Sequence, residues 1–234
     1  DKSVREEEFA GEQVAKAGRF FIAKTLLEMD VAKVDPLEAD NPLIFSAGSF
    51  AGSNFSNANR TSVGCKSPLT GGVKESNAGG SFGLAMGQLE IAGFTLHDAS
   101  EDWTVLYIKA DGTMEWSSAQ PYMGKGNFEC AAMLHEKYGA KVSLAICSLV
   151  GEYGGLLSGI AMSDTDQRPT RLAARGGVGA VMGAKKIKAI VLDLAKMPGF
   201  SDRKQLLKGI KEYGKMIRAD DATMALRDYG TAMM

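Results

Sequence analysis

Ten of the chain's 28 glycines lie between positions 47 and 93, where even spreading would place roughly six. Glycine at that density cannot sustain long helices or strands, because each one carries backbone entropy that folding must remove. The segment SAGSFAGSNFSNANRTSVGCKSPLTGGVKESNAGGSFG is nevertheless studded with Phe, Val and Leu, so it is no linker. It reads as short strands joined by ordered loops, and long ordered loops tend to carry function. A second glycine-rich stretch, RLAARGGVGAVMGAKKIKAIVL at 171–192, adds two arginines, three lysines and no acidic residue.

Around these stretches the apolar spacing is regular. Residues 5–29 predict an amphipathic helix with Leu26, Leu27 and Met29 on its apolar side. NPLIFSA at 41–47 predicts a buried strand entered through a proline. Phe82, Met86 and Leu89 share one face of a helix, with Gly93 placed as its C-terminal cap. WTVLYIKADGTMEWS reads as two strands joined at Asp111-Gly112, and Asn127 to Tyr138 as a helix closed by Gly139. KVSLAIC and KAIVL are strands, and from Ser201 onward the pattern is helical throughout. Strands mixed with helices, without regular βαβ alternation, predict an α+β fold. The composition changes near Pro198-Gly199, which sets residues 1–197 as one domain and 198–234 as the first helices of a second.

The net charge of −1 argues against a whole surface devoted to nucleic acid or anionic lipid, so any positive patch is local. No apolar run reaches the ~18–20 residues of a membrane span and no signal peptide is visible, so a cytoplasmic location is the expectation. The chain opens at Asp1 and stops at Met234, and both ends are expected to belong to something longer. Cys65, Cys130 and Cys147 form no C-x-x-C pair, and with only His97 and His135 beside them they read as reduced, buried thiols. The other reading is a reactive Cys65 with its pKa lowered by Lys66.

The 171–192 stretch lacks G-x-x-x-x-G-K-[ST] and misses G-x-G-x-x-G, so neither a P-loop nor a Rossmann turn is indicated. A helix starting near Gly177 would still offer free N–H groups and the positive end of its dipole, with Gly176 and Gly177 allowing close approach. Arg171 and Arg175 supply planar donors for phosphate. Lys185, Lys186 and Lys188 lie beyond that helix and serve its C-terminal end or solvent. Asn77-Ala78-Gly79-Gly80 repeats the layout, with Arg60 upstream. Two readings stay open: a cradle for an anionic ligand, or tight turns in which Asn77 merely caps a helix. Glu75, Asp164 and Asp166 are the carboxylates beside these motifs, and none is identifiable as a catalytic acid or base.

KSPLTGG followed by ESNAGGSFG, then RLAARGGVGAVMGAKKIKAIVL, resembles the N-terminal domain of the aldehyde:ferredoxin oxidoreductase family. VDPLEADNPLIFSAG, VGEYGG and the closing YGTA fit as well. The resemblance implies a base of two β-sheets under a tungsten, sometimes molybdenum, bis-pterin cofactor. It matches Arg60, Lys66, Asn77, Gly79, Arg171 and Leu172 to pterin-site positions, with Gly80, Arg175, Gly176 and Gly177 added from the residues themselves. It places a pterin-bridging magnesium on the main-chain oxygens of Asn77 and Leu172, and Arg60 between a pterin and a 4Fe-4S cluster whose ligands lie outside this chain. Leu172 stands where the family usually has alanine, a change that leaves a backbone oxygen intact. The usual N-terminal hairpin is missing, FTLHDASED is shorter and more polar than its counterpart, and Asn57-Ala58-Asn59 replaces small residues. The implied activity is oxidation of a small aldehyde or related carbonyl compound, with electrons passing to ferredoxin or an iron–sulfur subunit. A homo-oligomer is compatible with it. The alternative is a non-catalytic pterin- or phosphate-binding subunit.

Overall fold

Strands covered on both faces organise the molecule. In a strand, successive side chains point to opposite faces, and the strand Leu43–Ala47 is buried at all five positions because both faces are covered. Ile44 packs with Ile22, Leu26 and Val31 on one face, while Leu43, Phe45 and Ala47 enter the main core on the other. The computed structural model describes residues 2–233. Asp1 and Met234, the ends expected to belong to something longer, lie outside them.

In chain order the elements begin with α1 (Arg19–Glu28), β1 (Leu43–Ala47), β2 (Thr61–Lys66), β3 (Val73–Ala78), α2 (Phe82–Gln88) and β4 (Gly93–Leu96). Next come β5 (Thr104–Ile108), β6 (Met114–Ser118), α3 (Asn127–Tyr138), β7 (Val142–Cys147), α4 (Leu149–Glu152) and β8 (Ile160–Met162). The chain continues through β9 (Arg171–Ala173), α5 (Val178–Ala184) and β10 (Ile187–Asp193), then α6 (Arg203–Ala219) and α7 (Asp221–Tyr229). One sheet has the order β3-β2-β1-β4 and the other β6-β5-β10-β7-β8-β9. Every pairing is antiparallel except β10 with β5. This is the expected α+β arrangement of two sheets with short helices.

Alternation sorts the second sheet in the same way. Val105, Leu144, Ile146, Ala189 and Val191 face α3, where Cys130, Ala131 and Leu134 cover them. Leu106, Ala145, Cys147, Ile190 and Leu192 face inward, toward Phe82, Met86, Val178, Val181 and Met182 of α2 and α5. The two short helices therefore lie within the core between the sheets. Fully burying a side chain such as Phe45 or Phe82 contributes about 1.5–3 kcal/mol. A Cβ at Gly87 would sit 2.0 Å from the Ala51 carbonyl carbon, so α2 docks on the 48–59 loop only with glycine there.

Several expectations change. The helix over 5–29 is shortened to α1, with a 3-10 turn at Gly11–Lys16 before it. Gly18 breaks the run with a φ of 70°, and its N–H is taken by Ser46 Oγ. Leu26 is buried but Leu27 is 80% exposed, because Ile22 and Leu26, four residues apart, define the inward face. Gly93 caps no helix; α2 stops at Gln88 and Gly93 opens β4 beside Ser46. Lys185 is the C-cap residue of α5, as its place after the helix allowed, but neither it nor Lys188 faces solvent. Lys188 is fully buried, donates to the Cys147 carbonyl and pairs with Glu152. Lys185 is buried too and donates to the carbonyls of Ala39 and Asp98.

Burial pushes the Lys185 amine down from 10.5 to about 8, against the nearby Asp98 and Asp40 charges. Between those two values the unfolded chain binds a proton there that the folded chain does not, so stability rises with pH across that window. Chemical denaturation from pH 7.5 to 10.5 should show this rise in the wild type, and Lys185→Met should flatten it. An unchanged slope in the variant would show that Lys185 is not its source.

Candidate active site

β3 and β9 are each an edge strand, one of either sheet, and the two edges meet without pairing. Hydroxyls bridge the gap. The Ser76 side chain on β3 faces the carbonyls of Ala174 and Arg175, the latter at 3.0 Å. Ser67, at the end of β2, donates to the Gly176 carbonyl at 2.8 Å. An edge strand leaves half of its backbone N–H and C=O groups unclaimed by its own sheet. Here such groups flank a groove of about 280 Å³ lined by Lys74, Glu75, Ser76, Asn77, Leu172, Ala174 and Arg175.

The structure thus brings Asn77, Leu172 and Arg175 to one groove from stretches almost a hundred residues apart. Arg60 joins them, its Nε donating to Asn77 Oδ1. The Asn77 amide nitrogen donates to Ser62 Oγ at 3.1 Å, and Ser62 donates to Glu75 at 2.6 Å. Arg19 lies 3.5 Å from the other Glu75 oxygen, so this carboxylate is already engaged. Asn77 lies in β3 and caps no helix; the residue before α2 is Ser81. Gly79 is open on one side, with Arg60 Nη1 3.6 Å from where its Cβ would be. Gly80 has a φ of 106° and presses against the Ser163 carbonyl and the Arg171 side chain, which joins the two motifs directly.

Three placements differ from what the sequence suggested. Lys66 is not brought to the groove: its amine donates to the carbonyls of Ala32 and Val34 at 2.7 Å each. It lines a separate apolar hollow of about 460 Å³ with Leu26, Leu27, Val31 and Val73. Gly176 and Gly177 are buried and meet protein, not open space. A Cβ on Gly176 would strike the Lys74 side chain at 2.4 Å, and one on Gly177 the Leu156 carbonyl oxygen at 2.7 Å and Pro68 at 2.8 Å. The helix α5 that follows is short and its first residues are buried, so its dipole is not presented to the groove. Lys74, Ser76 and Ala174 line the groove although the sequence did not single them out. The alternation of β3, which sets buried Ser76 and Ala78 on one face, is the signal that could have found Ser76.

Charge distinguishes this groove. Arg60, Arg171 and Arg175 are exposed and make no ion pair among the described residues. Asp164 is no free acid. Burial alone would raise its pKa, but N–H groups of Arg168 and Asp166, the Thr170 hydroxyl and the Arg168 guanidinium outweigh that and hold it at about 2. It organises the 164–170 loop. Cys65 is fully buried and burial pushes its thiol up to about 12, which removes the reactive-cysteine reading.

The family profile described as aldehyde ferredoxin oxidoreductase, N-terminal domain, matches residues 1–194. The chain belongs to the aldehyde ferredoxin oxidoreductase family. It is 34% identical over 245 residues to the tungsten-containing aldehyde ferredoxin oxidoreductase of Pyrococcus horikoshii, covering 100% of this chain and 38% of that protein. Against the protein of the same name from Thermococcus kodakarensis it is 36% identical over 239 residues, 99% of this chain and 38% of the relative. Its fold matches the active-site complex BamBC of benzoyl coenzyme A reductase in complex with 1,5-dienoyl-CoA. That match has a TM-score of 0.81 and 26% identity, over 88% of this chain and 31% of the other. The chain therefore spans under two-fifths of the length of these tungsten-containing relatives. Among its described residues no helix is long and apolar enough to cross a membrane.

The glycine assignments are testable by stability. Gly177→Ala introduces both left-handed strain, about 1–2 kcal/mol, and a backbone clash. Gly112, with a φ of 84° and nothing within 4 Å, isolates strain alone. Urea unfolding should show Gly177→Ala losing clearly more stability than Gly112→Ala. Equal losses would mean that Pro68 and the Leu156 carbonyl do not confine the turn.

Proposed function

We propose that this chain is the cofactor-bearing base of a tungsten- or molybdenum-dependent oxidoreductase that oxidises an aldehyde, or a related small carbonyl compound, to an acid. The observation that carries the reading is the groove where β3 meets β9, with three guanidiniums at or next to it that make no ion pair among the described residues. Its donor set suits an anionic, phosphate-bearing pterin, since guanidiniums bind phosphate with paired donors. Its single carboxylate, Glu75, is paired with Arg19 and accepts a hydrogen bond from Ser62, which offsets its repulsion of an anion. When bound, the cofactor would supply the two-electron redox change, for which the groove's own lining has no redox-active side chain.

The chain's own residues bind and orient. Arg60, Arg171 and Arg175 offset phosphate charge, and Arg60 is itself held by Asn77. Asn77 and Leu172 both line the groove, and their backbone oxygens would supply hard ligands for a magnesium ion, a role indifferent to the leucine side chain. Gly79 and Gly80 keep the chain close at the Arg60–Arg171 junction. No four-thiolate set is assembled here: Cys65, Cys130 and Cys147 are buried free thiols, and burial raises all three pKa values to between about 11 and 12. The 4Fe-4S cluster and the route to ferredoxin are assigned to residues beyond this chain. Residues 198–234, with α6 and α7, open a second, helical domain. The stack of Phe50, Phe55 and Tyr213, with ring centroids 5.5 and 5.2 Å apart, fastens it to the 48–59 loop.

Losing a charge-assisted contact costs ~1.5–3 kcal/mol, about tenfold or more in affinity. Arg171→Ala in the intact enzyme should therefore lower tungsten and pterin content measured by elemental and fluorescence analysis. Lys186→Ala should leave both unchanged, because Lys186 reaches only the Glu101 carbonyl. Full cofactor content in an Arg60→Ala, Arg171→Ala double variant would remove the groove as the binding site.

A further inference from the structure

Arg175 adopts a φ of 69°, followed by Gly176 at 70° and Gly177 at 75°. Left-handed backbone is strained for any residue with a Cβ, and it persists where the surrounding structure holds it. Glycine at 175 would be free of that strain, as its two successors are. The side chain itself is exposed, borders the groove and makes no ion pair among the described residues.

The hydroxyl of Ser76 decides where that side chain goes. The peptide unit carrying the Ala174 carbonyl and the one carrying the Arg175 carbonyl are the two planes on either side of the Arg175 Cα. Each is rigid. Ser76 faces both carbonyls, which share its one proton, so a single hydroxyl restrains both planes and with them φ, ψ and the direction of the Cα–Cβ bond. Ser67 secures the next carbonyl, that of Gly176, and the Lys74 stem lies over the Gly176 Cα. Ser76 is buried, so water does not compete for these carbonyls.

We propose that Ser76 is a positioning residue for the cofactor, acting through Arg175: it holds the left-handed turn that aims the guanidinium into the groove. This rests on the groove being the cofactor site. The test compares four forms of the intact enzyme, wild type, Ser76→Ala, Arg175→Gly and the double variant, by tungsten retained after dialysis and by melting temperature. Arg175→Gly should lose about tenfold in retained tungsten, the worth of a charge-assisted contact, while melting no lower than the wild type because strain is relieved. Ser76→Ala should lose tungsten as well, Ser76→Thr should restore it, and the double variant should match Arg175→Gly. Losses that multiply in the double variant, or undiminished tungsten in Ser76→Ala, would overturn the inference and leave the groove reading standing. Undiminished tungsten in Arg175→Gly would overturn the role of Arg175 in the groove, and the inference with it.

Discussion

Everything near the groove depends on two sheet edges that touch without forming a ladder. Had β3 and β9 paired, their outward backbone groups would have been consumed in strand-to-strand hydrogen bonds. Instead the seam is closed by side-chain hydroxyls of the first sheet, Ser76 on β3 and Ser67 at the end of β2, each aimed at carbonyls of the 174–176 turn. Backbone oxygens therefore border a polar groove within reach of arginines that make no ion pair among the described residues.

Rigid support comes from below. α4 and α5 cross so closely that a Cβ on Gly183 would lie 2.0 Å from the Gly151 carbonyl oxygen. Behind them Lys188 is buried against Glu152 and the Cys147 carbonyl. Removing one partner of such a buried pair is expensive, about 3–5 kcal/mol, so the platform resists local rearrangement. The family motif VGEYGG thus has a structural meaning: Glu152 is the counter-ion and Gly151 the contact.

Much of the fold was legible because strands and the α3 helix write their burial into the order of their residues. LIFSA and VSLAIC were legible as short, continuous apolar runs and the Asp111-Gly112 hairpin by its turn chemistry. The two glycine–arginine stretches were also legible as partners. What the residues could not reveal was what each glycine meets. Gly176 and Gly177 accommodate Lys74, Pro68 and a carbonyl from distant segments, and bonds from hydroxyls to carbonyls leave no periodic trace. Lys185 and Lys188 looked like solvent residues because charge in a sequence carries no record of burial. Leu27 failed for a simpler reason: one residue along a helix turns a side chain by about 100°.

The position of β10 has a consequence for how the protein comes into being. It is the last strand in the chain, yet it sits inside the six-stranded sheet between β5 and β7. During synthesis β5 and β6 can form their hairpin early, and β7 can collect β8, with α3 packed across both, but no strand ladder joins these halves until residues 187–193 have left the ribosome. Long-range pairing of this kind is slow to form and exposes apolar edges while it waits. The nascent chain therefore carries two half-sheets, with open edges at β5 and β7, and a late strand that locks them in a single event.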